Sequence, residues 1–327
     1  MEIPAYWAEA RLQHRDARRQ VTVRRFGWSE VSLAEAEAHA HERACDALAT
    51  VVSGTDSLKR EPKVPYNGAI GLPIREEVLE RLDGCVITRN SYGAHCLNTP
   101  NVLIADIDAA LPVPGIHYVI SLLGLLIGAG ATCAGLDAWS PRVIVALVLA
   151  SLVFFAPLTG LLHRLWVALH GGANRMALQR VERFVEARPD WRVRLYDTPM
   201  GMRLIAMHRV FDPLEDAVTD CFTRLKVDRL YALMCRNQRC FRARLTGKPW
   251  RMGIASHMRP RPGVWPVAPE RMPMRQAWVA DYEAAAGGFA ACRFLKDIGG
   301  APVDAAVRAV VDVHDRESRV ESTLPLA

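Results

Sequence analysis

The sequence has no apolar run at its start. MEIPAYWAEARLQHRDARRQ mixes acids with bases, so the pattern of a cleavable secretory signal is missing and the start of the chain is expected in the cytoplasm. A dense cysteine framework is missing too. The eight cysteines, at 45, 85, 96, 133, 221, 235, 240 and 292, are scattered through 327 residues, which excludes a small disulfide-stapled domain and predicts reduced thiols. There is no G-x-x-x-x-G-K-[ST], no H-E-x-x-H and no G-x-S-x-G. That removes the sequence support for a P-loop nucleotidase, a zincin or an α/β-hydrolase. Cys235 and Cys240, with Cys221 upstream and His208 and His257 nearby, are zinc-type ligands, but a C-x₄-C without a second pair lacks the spacing of a zinc site.

Charge is missing from mid-chain. Ile116 to Leu136 has no charged residue, nor does Val143 to Leu162. Each run is long enough to cross about 30 Å of hydrocarbon as a helix. The connecting LDAWSPR carries Asp137, Trp139, Pro141 and Arg142, which suit a tight turn at a membrane interface. These residues predict a transmembrane hairpin over 114–170, with helices at about 116–136 and 143–162. Gly124, Gly128 and Gly135 in the first helix, with Ala146, Ala150 and Gly160 in the second, offer small surfaces for helix approach or self-association. Pro157 is expected to bend the second helix. Arg164, Arg175, Arg180 and Arg183 follow that helix, whereas the turn has only Arg142. The positive-inside rule then places the arginine-rich side, and with two spans both termini, in the cytoplasm of a bacterial-type inner membrane. His117 and His163 fall near the two cytoplasmic ends.

The flanks, 1–113 and 171–327, alternate strand and helix patterns, which predicts one α+β cytoplasmic domain interrupted by the hairpin. QVTVRRF reads as a strand, and Ser32 with Glu35 has capping-box spacing before an alanine-rich helix. EPKVPYNGAIGLPIREEVLERL reads as a Pro and Gly loop feeding a helix from about Arg75, followed by strands in CVITRNSYG and NVLIADI. Beyond the hairpin, residues 174–187 form an amphipathic helix pattern through Met176, Val181, Phe184 and Val185. WRVRLYDT and MRLIAMHRV suit a hairpin around Pro199 and Gly201, and helix follows to about Cys235. The segments MRQAWVADYEAAAGGFAACRFLKDIGG and APVDAAVRAVVDVHDRES read as two helices, with Ala277, Val279, Tyr282 and Phe289 in the core.

The sharpest local feature is VLIADID. Asp106 and Asp108 are two residues apart on a strand, so both carboxylates point to one side of the sheet, a geometry that can hold Mg²⁺ or Mn²⁺ for phosphoryl transfer. The plainer reading is a solvated strand end or a helix cap. With YDTPMGMRLIAM, the order of elements resembles the catalytic core of archaeo-eukaryotic primase-polymerases. The resemblance covers roughly residues 85 to 210. It implies metal binding at Asp106 and Asp108, and nucleotide phosphate contact at Thr198 and the strand Met202 to Met207. Arg203 stands where that family places a histidine; an arginine can contact phosphate but cannot share a proton near neutral pH. The phrases FGWS, GLPIREEVL, CFRARLTGKPWR and GVWPVAPER also resemble an uncharacterised family of bacterial two-helix membrane proteins, which implies no activity.

Residues 236–275 hold ten Lys or Arg and a single acid, Glu270. Arg242, Arg244, Lys248, Arg251, Arg259 and Arg261 are expected to form a basic surface, interleaved with Phe241, Trp250 and Trp265. Such a mixture suits a solvated surface, lipid headgroups, or a nucleotide or nucleic acid. Its Pro and Gly content predicts an ordered loop. The reading that results is a membrane-tethered domain with a degenerate primase-polymerase-like core that binds a phosphate-bearing ligand. Its rivals are an active metal-dependent phosphoryl or nucleotidyl transferase and a non-enzymatic structural or lipid-interaction protein.

Overall fold

The computed structural model describes residues 1–16, 19–55, 59–60, 72–109, 112–135, 137 and 139–327. The chain is mixed α+β and divides into two compact units, Met1–Ile107 with Glu182–Ala327, and Asp108–Val181.

The first unit begins with an antiparallel ribbon of β1 (Tyr6–Arg15) and β2 (Gln20–Ser29). The sequence reading missed β1. Its alternation is present, with Ala8, Ala10 and Leu12 inward and Glu9, Arg11 and Gln13 outward, but small alanines make a weak apolar stripe. The helix α1 (Leu33–Ser53) covers the ribbon through Ala36, Ala40, Ala44, Ala47 and Val51. Ser32 caps it by accepting from the Glu35 backbone N–H, while the Glu35 carboxylate accepts from the Ser29 hydroxyl at 2.7 Å instead of closing the capping box. Gly27 sets the spacing, because a Cβ there would lie 2.1 Å from the Ala40 backbone nitrogen.

A second sheet follows the order β3 (Glu77–Leu82), β4 (Cys85–Arg89), β5 (His95–Thr99), β9 (Phe241–Arg244), all neighbours antiparallel. Here the helix expected from Arg75 is corrected to strand β3; the proline- and glycine-rich loop expected before it falls largely on 61–71, outside the described residues. Asp83-Gly84, with Gly84 at φ +76°, turns the chain back onto β4. Glu77 is then drawn to Arg89 and Arg275, tertiary contacts that override helix propensity. The strand β5 falls where only polar turn residues are expected, and β9 lies in the segment expected to be loop.

The third sheet has the order β10 (Arg293–Ile298), β7 (Val193–Thr198), β8 (Gly201–Ala206), β6 (Ile104–Asp108). The β7–β8 hairpin agrees with the sequence reading. The strand β10 corrects the expected pair of C-terminal helices: α7 (Met272–Ala286) stops before Gly287, RFLKDI pairs with β7, and α8 (Ala305–Ser318) follows. In α7, Trp278 and Tyr282 are buried and Ala277 is exposed; Val279, and Phe289 beyond the helix end, are partly buried against the same cluster. The helix after β8 is two, α5 (Asp216–Leu225) and α6 (Arg229–Gln238), broken where Lys226 takes a left-handed conformation. The principal core is built from strand residues such as Ile87, Leu97, Ile104, Leu195, Leu204 and Phe241.

The second unit contains α2 (Gly115–Gly135) and α3 (Pro141–Leu169), and α4 (Ala173–Glu186) begins in it. By length and composition both α2 and α3 suffice to cross a membrane, and only 11% and 6% of their most apolar windows are buried. A helix in a soluble core would be mostly buried. α3 runs past the expected end at 162. Ser121 and Thr159 join the two helices by a 2.9 Å hydrogen bond, and the His117 and His163 rings lie 5.4 Å apart. The glycines do not make this contact: a Cβ at Gly124, Gly128, Gly135 or Gly160 would meet nothing within 4 Å.

Candidate functional site: the Asp106–Arg203 centre

Two of the sequence-predicted residues meet. Adjacent strands β6 and β8 place the Arg203 guanidinium against the Asp106 carboxylate, with Nε donating to Oδ1 at 2.7 Å and Nη2 to Oδ2 at 3.3 Å. This fork engages both carboxylate oxygens. Arg203 is 1% exposed, and its Nη1 donates to the Arg244 carbonyl at 2.8 Å and faces His314 Nε2 at 3.1 Å. These donors are directed to protein groups, where a direct contact with a ligand phosphate was expected. The Asp106 side chain is 44% exposed. Burial opposes its ionisation, but the charge and hydrogen bonds of Arg203 outweigh that and hold the carboxyl below its usual range.

Asp108 lies at the exposed end of β6, and Thr198 at the half-buried turn end of β7, where it pairs with Gly201. Among the described residues no hydrogen bond joins Thr198 to Asp106 or Arg203, and no group of three or more His, Cys, Asp or Glu is placed to hold a metal ion.

Behind Arg203 runs a network the sequence reading did not find. His314 Nδ1 is 2.8 Å from Asp315 Oδ1, which also accepts from the Tyr196 hydroxyl at 2.6 Å, while Arg194 donates to Oδ2 at 3.1 Å. Arginine can only donate. His314 Nε2 must then be the acceptor and Nδ1 must carry the proton, so the ring is neutral. Burial and the Arg203 charge push its pKa down against the pull of Asp315, in agreement with that tautomer.

Cys292 Sγ lies 3.9 Å from the same Nε2, giving a thiol, imidazole and carboxylate in sequence. That order invites a nucleophile, but the chemistry is blocked. The lone pair that would take the thiol proton is occupied by Arg203, Cys292 and His314 are both fully buried, and burial pushes the thiol up to about 11. A reactive cysteine needs the opposite environment. Cys235 and Cys240, the candidate zinc ligands, are likewise buried thiols held above their usual range chiefly by burial. All eight cysteines are free. His314 and Asp315 are adjacent on α8, and because adjacent residues on a helix do not normally share a face, their spacing gives no signal of this network.

The basic segment separates into two classes. Arg242, expected on the surface, is corrected: it is 5% exposed and donates to Glu76 at 2.5 Å inside the second sheet, where Thr88 and Asn98 continue the network. Arg275 is buried against Glu77 at 2.9 Å. Arg244, Lys248 and Arg251 are half-buried, and Arg259 and Arg261 are exposed. Comparison with known protein families, with curated proteins and with solved structures finds no match.

Proposed function

We propose that this chain is a membrane-tethered binding protein whose α+β unit holds a phosphate-bearing ligand without transferring it. On this reading α2 and α3 cross a bacterial inner membrane as a hairpin, both termini are cytoplasmic, and β6 with β8 retains a degenerate primase-polymerase-like centre. Support for the hairpin comes from the low burial of both helices. Chain segments before and after it belong to one compact unit, which supports placing both flanks on the same face of the bilayer.

The observation that carries the non-catalytic half is the Arg203 fork on Asp106. Hard divalent ions take carboxylate oxygens as ligands, and the fork donates to both of those on Asp106. Arg203 therefore competes for Asp106 with the Mg²⁺ or Mn²⁺ that the primase resemblance implies. Ligand binding on this reading falls to the arginines of 236–275 that have no carboxylate partner among the described residues.

Calorimetry of the full chain in detergent with Mn²⁺, compared with Asp106→Ala plus Asp108→Ala, tests the absence of a metal centre. Indistinguishable traces are expected, with no labelled nucleotide incorporated onto a primer by either protein. Mn²⁺ binding or incorporation that disappears in the double variant would restore the transferase.

A further inference from the structure

The second unit, Asp108–Val181, has a cavity in the crook where α3 turns into α4. Its volume is about 510 Å³, and it is lined by His163, Arg164 and Val167 of α3, Gly172 of the turn, and Ala173 and Met176 of α4, among others. Two of these side chains can hold an anion. Arg164 is exposed and makes no ion pair among the described residues, and His163 Nδ1 is buried with no hydrogen-bond partner. Gly172 and Ala173 bring the start of α4 to the same cavity. The first turn of that helix carries no acidic residue, and helix N-terminal amides favour an anion.

One turn along α4 stands a cation without a counter-charge. Arg180 follows Met176 by four residues, so it continues the helix face that lines the cavity. Its Nε and Nη2 are both buried without a hydrogen-bond partner, whereas every other described arginine with a nitrogen so placed strands only one. Arg89 and Arg275, two of those others, have carboxylates to balance them. At Arg180 burial acts alone and lowers the pKa, with no carboxylate to offset it. Two stranded donors on a cation are costly, and an anion relieves them.

Depth and hydropathy point to the occupant. Counted from Pro141, the first residue of α3, Arg164 stands about 34 Å along the helix at a rise of about 1.5 Å per residue. That is just past about 30 Å of hydrocarbon, the level of lipid phosphates. Leu161, Leu165 and Leu169 recur at four-residue spacing through this level, and each is more than half exposed. A soluble phosphate gains nothing from that apolar face; a phospholipid covers it with its chains.

We propose that this cavity binds one anionic glycerophospholipid of the cytoplasmic leaflet. Arg164, Arg180 and His163 hold its phosphate, and its acyl chains run along the leucine face of α3. The assignment rests on the reading that α2 and α3 span the bilayer as a hairpin, and it is independent of the ligand proposed for the α+β unit.

The test is native mass spectrometry of the full chain in detergent, titrated with dioleoylphosphatidylglycerol, dioleoylphosphatidylcholine or glycerol 3-phosphate. Phosphatidylglycerol is expected to bind roughly tenfold or more tighter than either of the others, as two basic contacts allow. Arg164→Ala and Arg180→Met should each weaken it about fivefold, the effect of one basic contact, and Arg142→Ala at the opposite turn should leave it unchanged. Arg164 is exposed, so its variant keeps the test valid if Arg180→Met fails to fold. Phosphatidylcholine or glycerol 3-phosphate binding as tightly as phosphatidylglycerol would overturn the lipid site, and so would losses no larger than that of Arg142→Ala. Alkaline carbonate washing of membranes that carry the chain separates this failure from that of the hairpin. A chain retained in the membrane without lipid preference loses the site alone, whereas a chain released by the wash loses the hairpin and the site together.

Discussion

A guanidinium group removed from water needs an anion beside it, and this rule sorts the 41 lysines and arginines of the chain better than their positions in the sequence do. Arg242 and Arg244 are two residues apart on β9, yet one is locked to Glu76 and the other is half-buried with an unpaired Nε. Sequence shows a basic run; only the fold shows which charges are spent internally. The same rule explains what the sequence leaves out about Asp106. D-x-D at a strand end predicts a shared carboxylate face, which is correct, but the partner that occupies it sits 97 residues away on β8.

Glu283 gives a pH test at this scale. It meets Arg89 at 2.7 Å and His95 at 2.8 Å, and although burial pushes its carboxyl up, those partners pull it from 4.5 down to about 2. A carboxyl whose pKa is lower in the folded state than in the unfolded one stabilises the fold above the unfolded value, and loses that contribution as pH falls through the folded one. The window is therefore from about pH 4.5 down to about pH 2. Urea unfolding of wild type and Glu283→Gln should show a stability gap at pH 7 that closes across this window. Because Glu283 is 41% exposed, added salt should narrow the gap. A gap independent of pH would show that the pair contributes nothing through its charge.

At the scale of elements, the sequence showed helices and strands wherever the apolar period was strong. The amphipathic α4, the β7–β8 hairpin and the Ser32-capped α1 all lie where residue spacing puts them. The failures share a cause. In β3, EVLERL has helix formers at nearly every position and takes an extended form because Arg89 and Arg275 pull on Glu77 and a Asp-Gly turn reverses the chain. In β10, RFLKDI is an edge strand with few buried residues, so no inner face marks it, and pairing with β7 decides its state. Such contacts are nonlocal and leave no period in the sequence.

The close approach of α1 to β2 is testable because one residue permits it. Gly27 has the Ala40 backbone nitrogen 2.1 Å and the Ala36 carbonyl oxygen 2.4 Å from where a Cβ would stand. These are backbone atoms that no rotamer change can move. Gly27→Ala should therefore force helix and ribbon apart and destabilise the unit by about 1–3 kcal/mol, the usual cost of overpacking. Chemical denaturation measures it. Stability equal to wild type would show that α1 does not pack on the ribbon at this distance.

For the molecule as a whole, a bilayer would account for what folding in water alone does not. Leu122, Leu126, Ile127, Val148, Leu152 and Phe154 are all at least half exposed, and that much apolar side chain in water costs far more than it does in lipid. The two long apolar helices were legible because hydrophobic length is a one-dimensional property. Packing within it was not: the glycine stripe suggested the contact between α2 and α3, whereas Ser121 and Thr159 make it. Native cysteines allow the most direct test of the membrane hairpin, since Cys45 is exposed and the other seven are buried. A membrane-impermeant maleimide should leave Cys45 unmodified in intact cells and modify it in inverted vesicles, while a cysteine introduced by Trp139→Cys at the turn shows the opposite pattern. Modification of both sites from the same side would contradict the account.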